Sequence, residues 1–146
     1  MLAQAVRAAQ CGQPLLQLCT GSSFGRVARY AAGASDRVVD LQSDKDFATK
    51  LKDAADSGSL LICDFTAKWC GPCRMIAPIF SQLSNKYSDV SFVKIDIDHP
   101  GLSNTVNDHS ITGVPTFVYY KGGRRVESFS GARAELLEEL IKKHTK

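Results

Sequence analysis

Leu60-Leu61-Ile62-Cys63-Asp64-Phe65 carries one charge in an otherwise apolar run, and Trp69-Cys70-Gly71-Pro72-Cys73 follows after Thr66-Ala67-Lys68. A run this apolar reads as a strand covered on both faces. From Cys73 to Tyr87 the period changes. Ile76, Ile79, Phe80 and Leu83 recur at helical spacing, with Pro78 inside the run, where it removes one amide and kinks the helix. A doubly covered strand that passes straight into a helix belongs to a layered α/β architecture.

The neighbouring segments agree. Val38 to Leu41 is a short apolar run. Ser43 suits the N-cap of a helix carrying Phe47 and Leu51, with Asp46 reaching back toward the free amides, and Ser57-Gly58 ends it. Val90 to Ile97 alternates as a strand. Pro100-Gly101 turns the chain into a short helix marked by Leu102 and Val106. Thr116 to Tyr120 and Val126 to Phe129 are strands joined by a Gly122-Gly123 hairpin turn. Leu136, Leu137, Leu140 and Ile141 define a last amphipathic helix, with Lys142 and Lys143 near its C-terminus. Strand and helix alternate three times before the hairpin and final helix. That order predicts a central mixed sheet, parallel in part, with helices on both faces.

The net charge of +3 is unevenly placed. Residues 1–35 hold Arg7, Arg26 and Arg29 and no acid, whereas residues 36–146 hold 15 basic and 15 acidic side chains. The N-terminal segment is rich in Ala, Gln, Gly and Ser. Leu2, Val6 and Ala9 fall at the spacing expected of one face of a short, weakly amphipathic basic helix. This is the composition of an organelle transit peptide, and it predicts a removable mitochondrial address over 1–35 and a working domain over 36–146. Arg29-Tyr30-Ala31 resembles a matrix-processing site; a plastid address and an extension that carries no address are the alternatives. A neutral domain gives no electrostatic reason to expect nucleic acid binding. No apolar run has the length of a membrane helix.

Five cysteines divide into three groups. Cys11 and Cys19 lie in the N-terminal segment. Cys63 falls in the buried strand, where a cysteine packs as a small hydrophobe. Cys70 and Cys73 stand where the strand meets the helix. A helix N-terminus stabilises a thiolate through its partial charge and unpaired amides. Residues three apart share a helix face, so the two sulfurs can close a disulfide. Pro72 fits the first turn. Cys70 is then the exposed nucleophile, and Cys73, one turn in, resolves the mixed disulfide. A zinc site needs a second ligand pair, and His99, His109 and His144 are not at ligand spacing. A purely structural disulfide across so short a loop stabilises little.

From about Val38 to the C-terminus the chain resembles the thioredoxin family, mitochondrial type. The pentapeptide Trp69-Cys70-Gly71-Pro72-Cys73 matches throughout, and Arg74-Met75-Ile76-Ala77-Pro78 continues the match. Asp64 stands where the family has its buried carboxylate, and Lys94 where it has a strand lysine near that carboxylate. Gly113-Val114-Pro115-Thr116 matches the cis-proline loop, and Gly131 the glycine before the last helix. Thr66 departs from the many bacterial members that carry a second tryptophan there.

The resemblance implies the thioredoxin fold and a protein-disulfide reductase. Cys70 would attack, Cys73 resolve, and Asp64 accept a proton from the buried thiol, with Lys94 tuning Asp64. Gly71 and Pro72 complete the redox turn. Trp69, Ile111, Val114, Pro115 and Gly131 would form the substrate surface, the Val114 backbone pairing with a substrate strand. The implied partners are thioredoxin reductase, an NADPH-dependent flavoprotein, and disulfide substrates such as peroxiredoxin. The domain is expected to be a monomer that needs no metal, nucleotide or prosthetic group. Two other readings stand beside this one. The first is an oxidase or isomerase domain, which favours His at the position of Pro72. The second is a binding module whose cysteines are incidental.

Overall fold

The computed structural model describes residues 36–146; the transit-peptide reading lies outside the described residues. Strand β2 (Leu60–Thr66) is the middle of a five-stranded sheet. Around it run β1 (Val38–Asp40), β3 (Val90–Asp96), β4 (Thr116–Lys121) and β5 (Arg124–Ser130), in the order β1-β3-β2-β4-β5. β1, β3 and β2 are parallel, while β4 pairs antiparallel with β2 and with β5. The predicted mixed sheet is therefore present, with its antiparallel part supplied by the hairpin.

Helices α1 (Asp44–Ser57), α2 (Gly71–Lys86), α3 (Ser103–Asp108) and α4 (Ala134–Thr145) cover the sheet. Alternation along the strands sorts the core into two layers. Leu60 and Ile62 of β2, Phe92 of β3 and Tyr119 of β4 pack against Ile76 and Phe80 of α2 and Leu137 of α4. Leu61, Cys63 and Phe65 face the other way, toward Leu51 of α1 and Val106 of α3. Each large side chain sealed in this way stabilises the fold by about 2 kcal/mol. The same parity assigns Asp64 to the α2 face and Cys63 to the opposite one.

Local chemistry sets the ends of the elements. Ser43 caps α1, its Oγ accepting from the Asp46 N–H at 3.2 Å, while Asp46 Oδ2 accepts from the Gln42 N–H at 3.3 Å. Gly58 ends α1 in the left-handed region at φ 67°. Gly122 and Gly123, at φ 57° and 76°, make the β4–β5 turn. α2 starts at Gly71, earlier than its apolar period from Cys73 indicates, because Cys70 acts as its N-cap. Pro78 lies inside α2 and leaves the Arg74 carbonyl without its usual helical donor. Among the described residues no helix is long and apolar enough to cross a membrane.

Candidate active site

β2 ends at the C-terminal end of the central strands, and α2 begins a few residues later. Cys70 and Cys73 are bonded at this junction, with Sγ–Sγ 2.11 Å and Cα–Cα 5.3 Å. The Cys73 N–H donates to Cys70 Sγ at 3.2 Å. Cys70 thus caps the helix with sulfur, where the helix field favours negative charge. Pro72 occupies the first turn, where no amide is lost.

One expectation is corrected. Cys70 is not exposed in this disulfide form: it is 4% accessible and Cys73 is 3%. The sulfur of Cys70 is turned back onto Cys73 and lies 3.7 Å from the Val114 carbonyl oxygen, and both cysteines cluster with Ala67, Ile97 and Val114. The exposed apolar groups at this end of the molecule are its neighbours, Trp69 at 66% and Met75 at 74%. The Trp69 indole N–H donates to Asp98 Oδ2 at 2.7 Å, which fixes the ring at the rim.

The loop opposite the disulfide is tied from several sides. The Val114–Pro115 peptide is cis. The Gly131 N–H donates to the Pro115 carbonyl at 2.8 Å, and Gly131 itself sits at φ 100°, a region that favours glycine. Thr116 Oγ1 donates to the Gly113 carbonyl at 2.7 Å. Val114 belongs to the cluster around the cysteines. Ile111 is half-buried and packs against the α1/α3 core.

Asp64 lies on the α2 face and is 1% accessible, and among the described residues its Oδ1 has no hydrogen-bond partner. Burial pushes its carboxyl up to about 7; the Lys94 ammonium pulls it down and the Asp40 carboxylate pushes it up. Lys94 does not bond Asp64. Its Nζ lies 2.7 Å from Asp40 Oδ1, and it acts on Asp64 through space. This refines the expected tuning by Lys94, because β1 places a competing carboxylate on its other side. Burial also pushes the Cys63 thiol strongly up, and that side chain lies in the opposite core layer, away from the disulfide.

Asp40 and Asp98 do not stand out in the sequence alone. Asp98 had no local signal. Asp40 had a weak one: a charge in the apolar run from Val38, two residues on and therefore on the same face of the strand. A cavity of about 330 Å³ opens beside this group, lined by Asp40, Thr66, Cys73, Ala77, Lys94 and Asp96 among others.

Comparison with known proteins decides the family. The thioredoxin family model matches residues 38–143. The chain belongs to the thioredoxin family. Thioredoxins are thiol–disulfide oxidoreductases, and this one carries the redox-active pair as Cys70 and Cys73. It is 40% identical over 110 residues to "Thioredoxin O1, mitochondrial" of Arabidopsis thaliana, covering 75% of this chain and 57% of that protein's length. Among solved structures it is similar to thioredoxin NaTrxh from Nicotiana alata, with TM-score 0.71 and 38% identity over 75% of this chain and 93% of that one. A chain from a structure on thiol resolution in yeast mitochondrial 1-Cys peroxiredoxin via glutathione and thioredoxin systems also matches. There the TM-score is 0.65 and identity 33%, covering 73% and 94% of the two chains.

Proposed function

We propose that this thioredoxin reduces protein disulfides in the mitochondrial matrix and is recycled by thioredoxin reductase. The observation that carries the reading is the helix-capping sulfur of Cys70, one turn from Cys73, above a sheet face that holds the unpartnered Asp64.

The cycle follows from these positions. In the reduced protein the Cys70 thiolate attacks one sulfur of the substrate disulfide. A Cys70–substrate bond forms, the substrate S–S bond breaks, and one substrate thiolate leaves. Cys73 then gives its thiol proton to Asp64, directly or through water, and its sulfur attacks Cys70. The Cys70–substrate bond breaks, the second substrate sulfur leaves as a thiolate and takes a proton from solvent, and the Cys70–Cys73 disulfide remains. Two electrons have passed to the substrate. The reductase returns two electrons from NADPH to the protein.

Binding follows the same surface. Val114 offers main-chain groups to an extended substrate strand, as in strand addition to a sheet edge. Trp69 supplies an apolar lip. Pro115 and Gly131 hold the loop, and Ile111 extends it. This mode reads backbone more than sequence and suits many partners, peroxiredoxin among them. The chain acts as a monomer. Its arginine-bearing, acid-free N-terminus and the mitochondrial name of one relative support the matrix address.

Trapping tests the assignment. Cys73→Ser keeps the attacking sulfur and removes the resolving one, so substrates accumulate as mixed disulfides on Cys70. Mass spectrometry locates the linkage, and capture through Cys63 would exclude Cys70 as the nucleophile. The N-terminal residue of the protein isolated from cells tests the address. A start near Tyr30 to Ser35 supports it, and an intact Met1 in the mature protein refutes it.

A further inference from the structure

Three strands bring three charged side chains into one row. In the sheet register Asp40 of β1 pairs with Lys94 of β3, and Lys94 pairs with Asp64 of β2. The row lies on the face covered by α2, where Val38, Phe92 and Ile62, two residues back on each strand, join the same core. The Lys94 ammonium stands between two carboxylates and bonds only one. It is 2.7 Å from Asp40 Oδ1, while Asp64 Oδ1 is buried with no partner among the described residues. Thr66, Cys73 and Ala77 line the cavity that Asp40 and Lys94 also line.

An ammonium bonded to Asp64 would fix its carboxylate in the charged form, because an ion pair in a low dielectric strongly favours charge. A carboxylate so held is a much weaker acceptor for a thiol proton. We propose that Asp40 is a positioning residue of the active site: by holding the Lys94 ammonium on its own carboxylate, it leaves Asp64 free to exchange a proton when Cys73 attacks. The inference rests on the reading of Asp64 as the proton acceptor and names what sets its readiness.

The sheet sets the neighbours of Asp64. β3 presents Lys94, β1 presents Asp40 beyond it, and β4 places apolar Phe117 at the paired position. In the cavity that Asp40 and Lys94 line, α2 contributes Cys73 and Arg74, and Lys68, Asp96 and His99 stand around it. The side chains of Asp40 and Lys94 are 56% and 40% accessible, so solvent and salt weaken their pairing. Asp64 is not screened in that way, which is why the placement of one exposed ammonium reaches it. Burial and the Asp40 charge both raise its proton affinity, and the Lys94 charge lowers it.

A double-mutant cycle on the oxidised full-length chain tests the proposal. The readout is the titration midpoint of the Asp64 carboxyl carbon by NMR, in wild type, Asp40→Asn, Lys94→Gln and the double variant. Asp40→Asn should lower the midpoint by about one pH unit, because it removes a negative charge and releases the ammonium toward Asp64. Lys94→Gln should raise it. With Lys94 absent, Asp40→Asn should move the midpoint by less than half as much, since Asp40 acts through the lysine. Asp40→Glu should restore the wild-type value. The rate of substrate release from the Cys70 mixed disulfide, followed against pH, should shift with Asp40→Asn in the same direction. An unmoved midpoint in Asp40→Asn, or an equal shift with and without Lys94, overturns the proposal while leaving Asp64 in the mechanism. A release profile that Asp64→Asn does not alter overturns the role of Asp64, and that of Asp40 with it.

Discussion

Asp64 costs the fold stability whenever it is charged. Its proton affinity is raised from 3.8 to about 7 by burial, so the folded state holds a proton that the unfolded chain releases between those values. Stability from this group is full below the lower value and is lost as pH rises through the upper one, a loss of about 4 kcal/mol in all. Asp64→Asn removes this dependence. Its stability advantage over oxidised wild type in urea unfolding should grow by about 3 kcal/mol between pH 5 and pH 8. A constant advantage would show that Asp64 is not titrating there. The same substitution should slow substrate release and flatten its pH profile near neutrality. The costly charge was legible because Asp64 interrupts an apolar run. The partner of Lys94 was not, because it depends on which strand lies beside β3, a long-range fact. The burial of Cys70 also escaped, because it depends on the loop at Val114 reaching over from another part of the chain.

Elements were legible where a local rule decides them. The change of period from β2 to α2 is written in the sequence, as are the Ser43 cap and the hairpin glycines. Boundaries moved where capping outran periodicity, as when α2 began at Gly71. The β4–β5 hairpin gives a test at this scale. Gly123 has φ 76°, and an added Cβ would lie 3.1 Å from the Ala55 Cβ of α1. Gly123→Ala therefore meets both an unfavourable backbone and a crowded neighbour, and should cost about 1 kcal/mol or more in denaturant unfolding. Gly122→Ala has open space around its Cβ, so it should carry the backbone cost with no added crowding. Equal losses at the two positions would mean that contact with α1 contributes nothing.

At the scale of the molecule, the sheet order turns a linear alternation into a site. β2 lies at the centre, so its end is where α2 starts, and the parallel neighbour β3 and antiparallel neighbour β4 bring Lys94 and the Pro115 loop to the same end. The right-handed crossover rule and the strand–helix order made this architecture legible in advance. The charge balance fits it as well, since residues 36–146 are formally neutral and the excess lies before them. Trp69 stands exposed at the rim beside the disulfide. The central claim is that Cys70 and Cys73 carry electrons from the reductase to protein disulfides. NADPH-dependent reduction of insulin, with thioredoxin reductase present, measures that directly. Steady turnover that vanishes in Cys70→Ser is the predicted result. A chain whose disulfide opens with dithiothreitol but that supports no turnover with the reductase would contradict it.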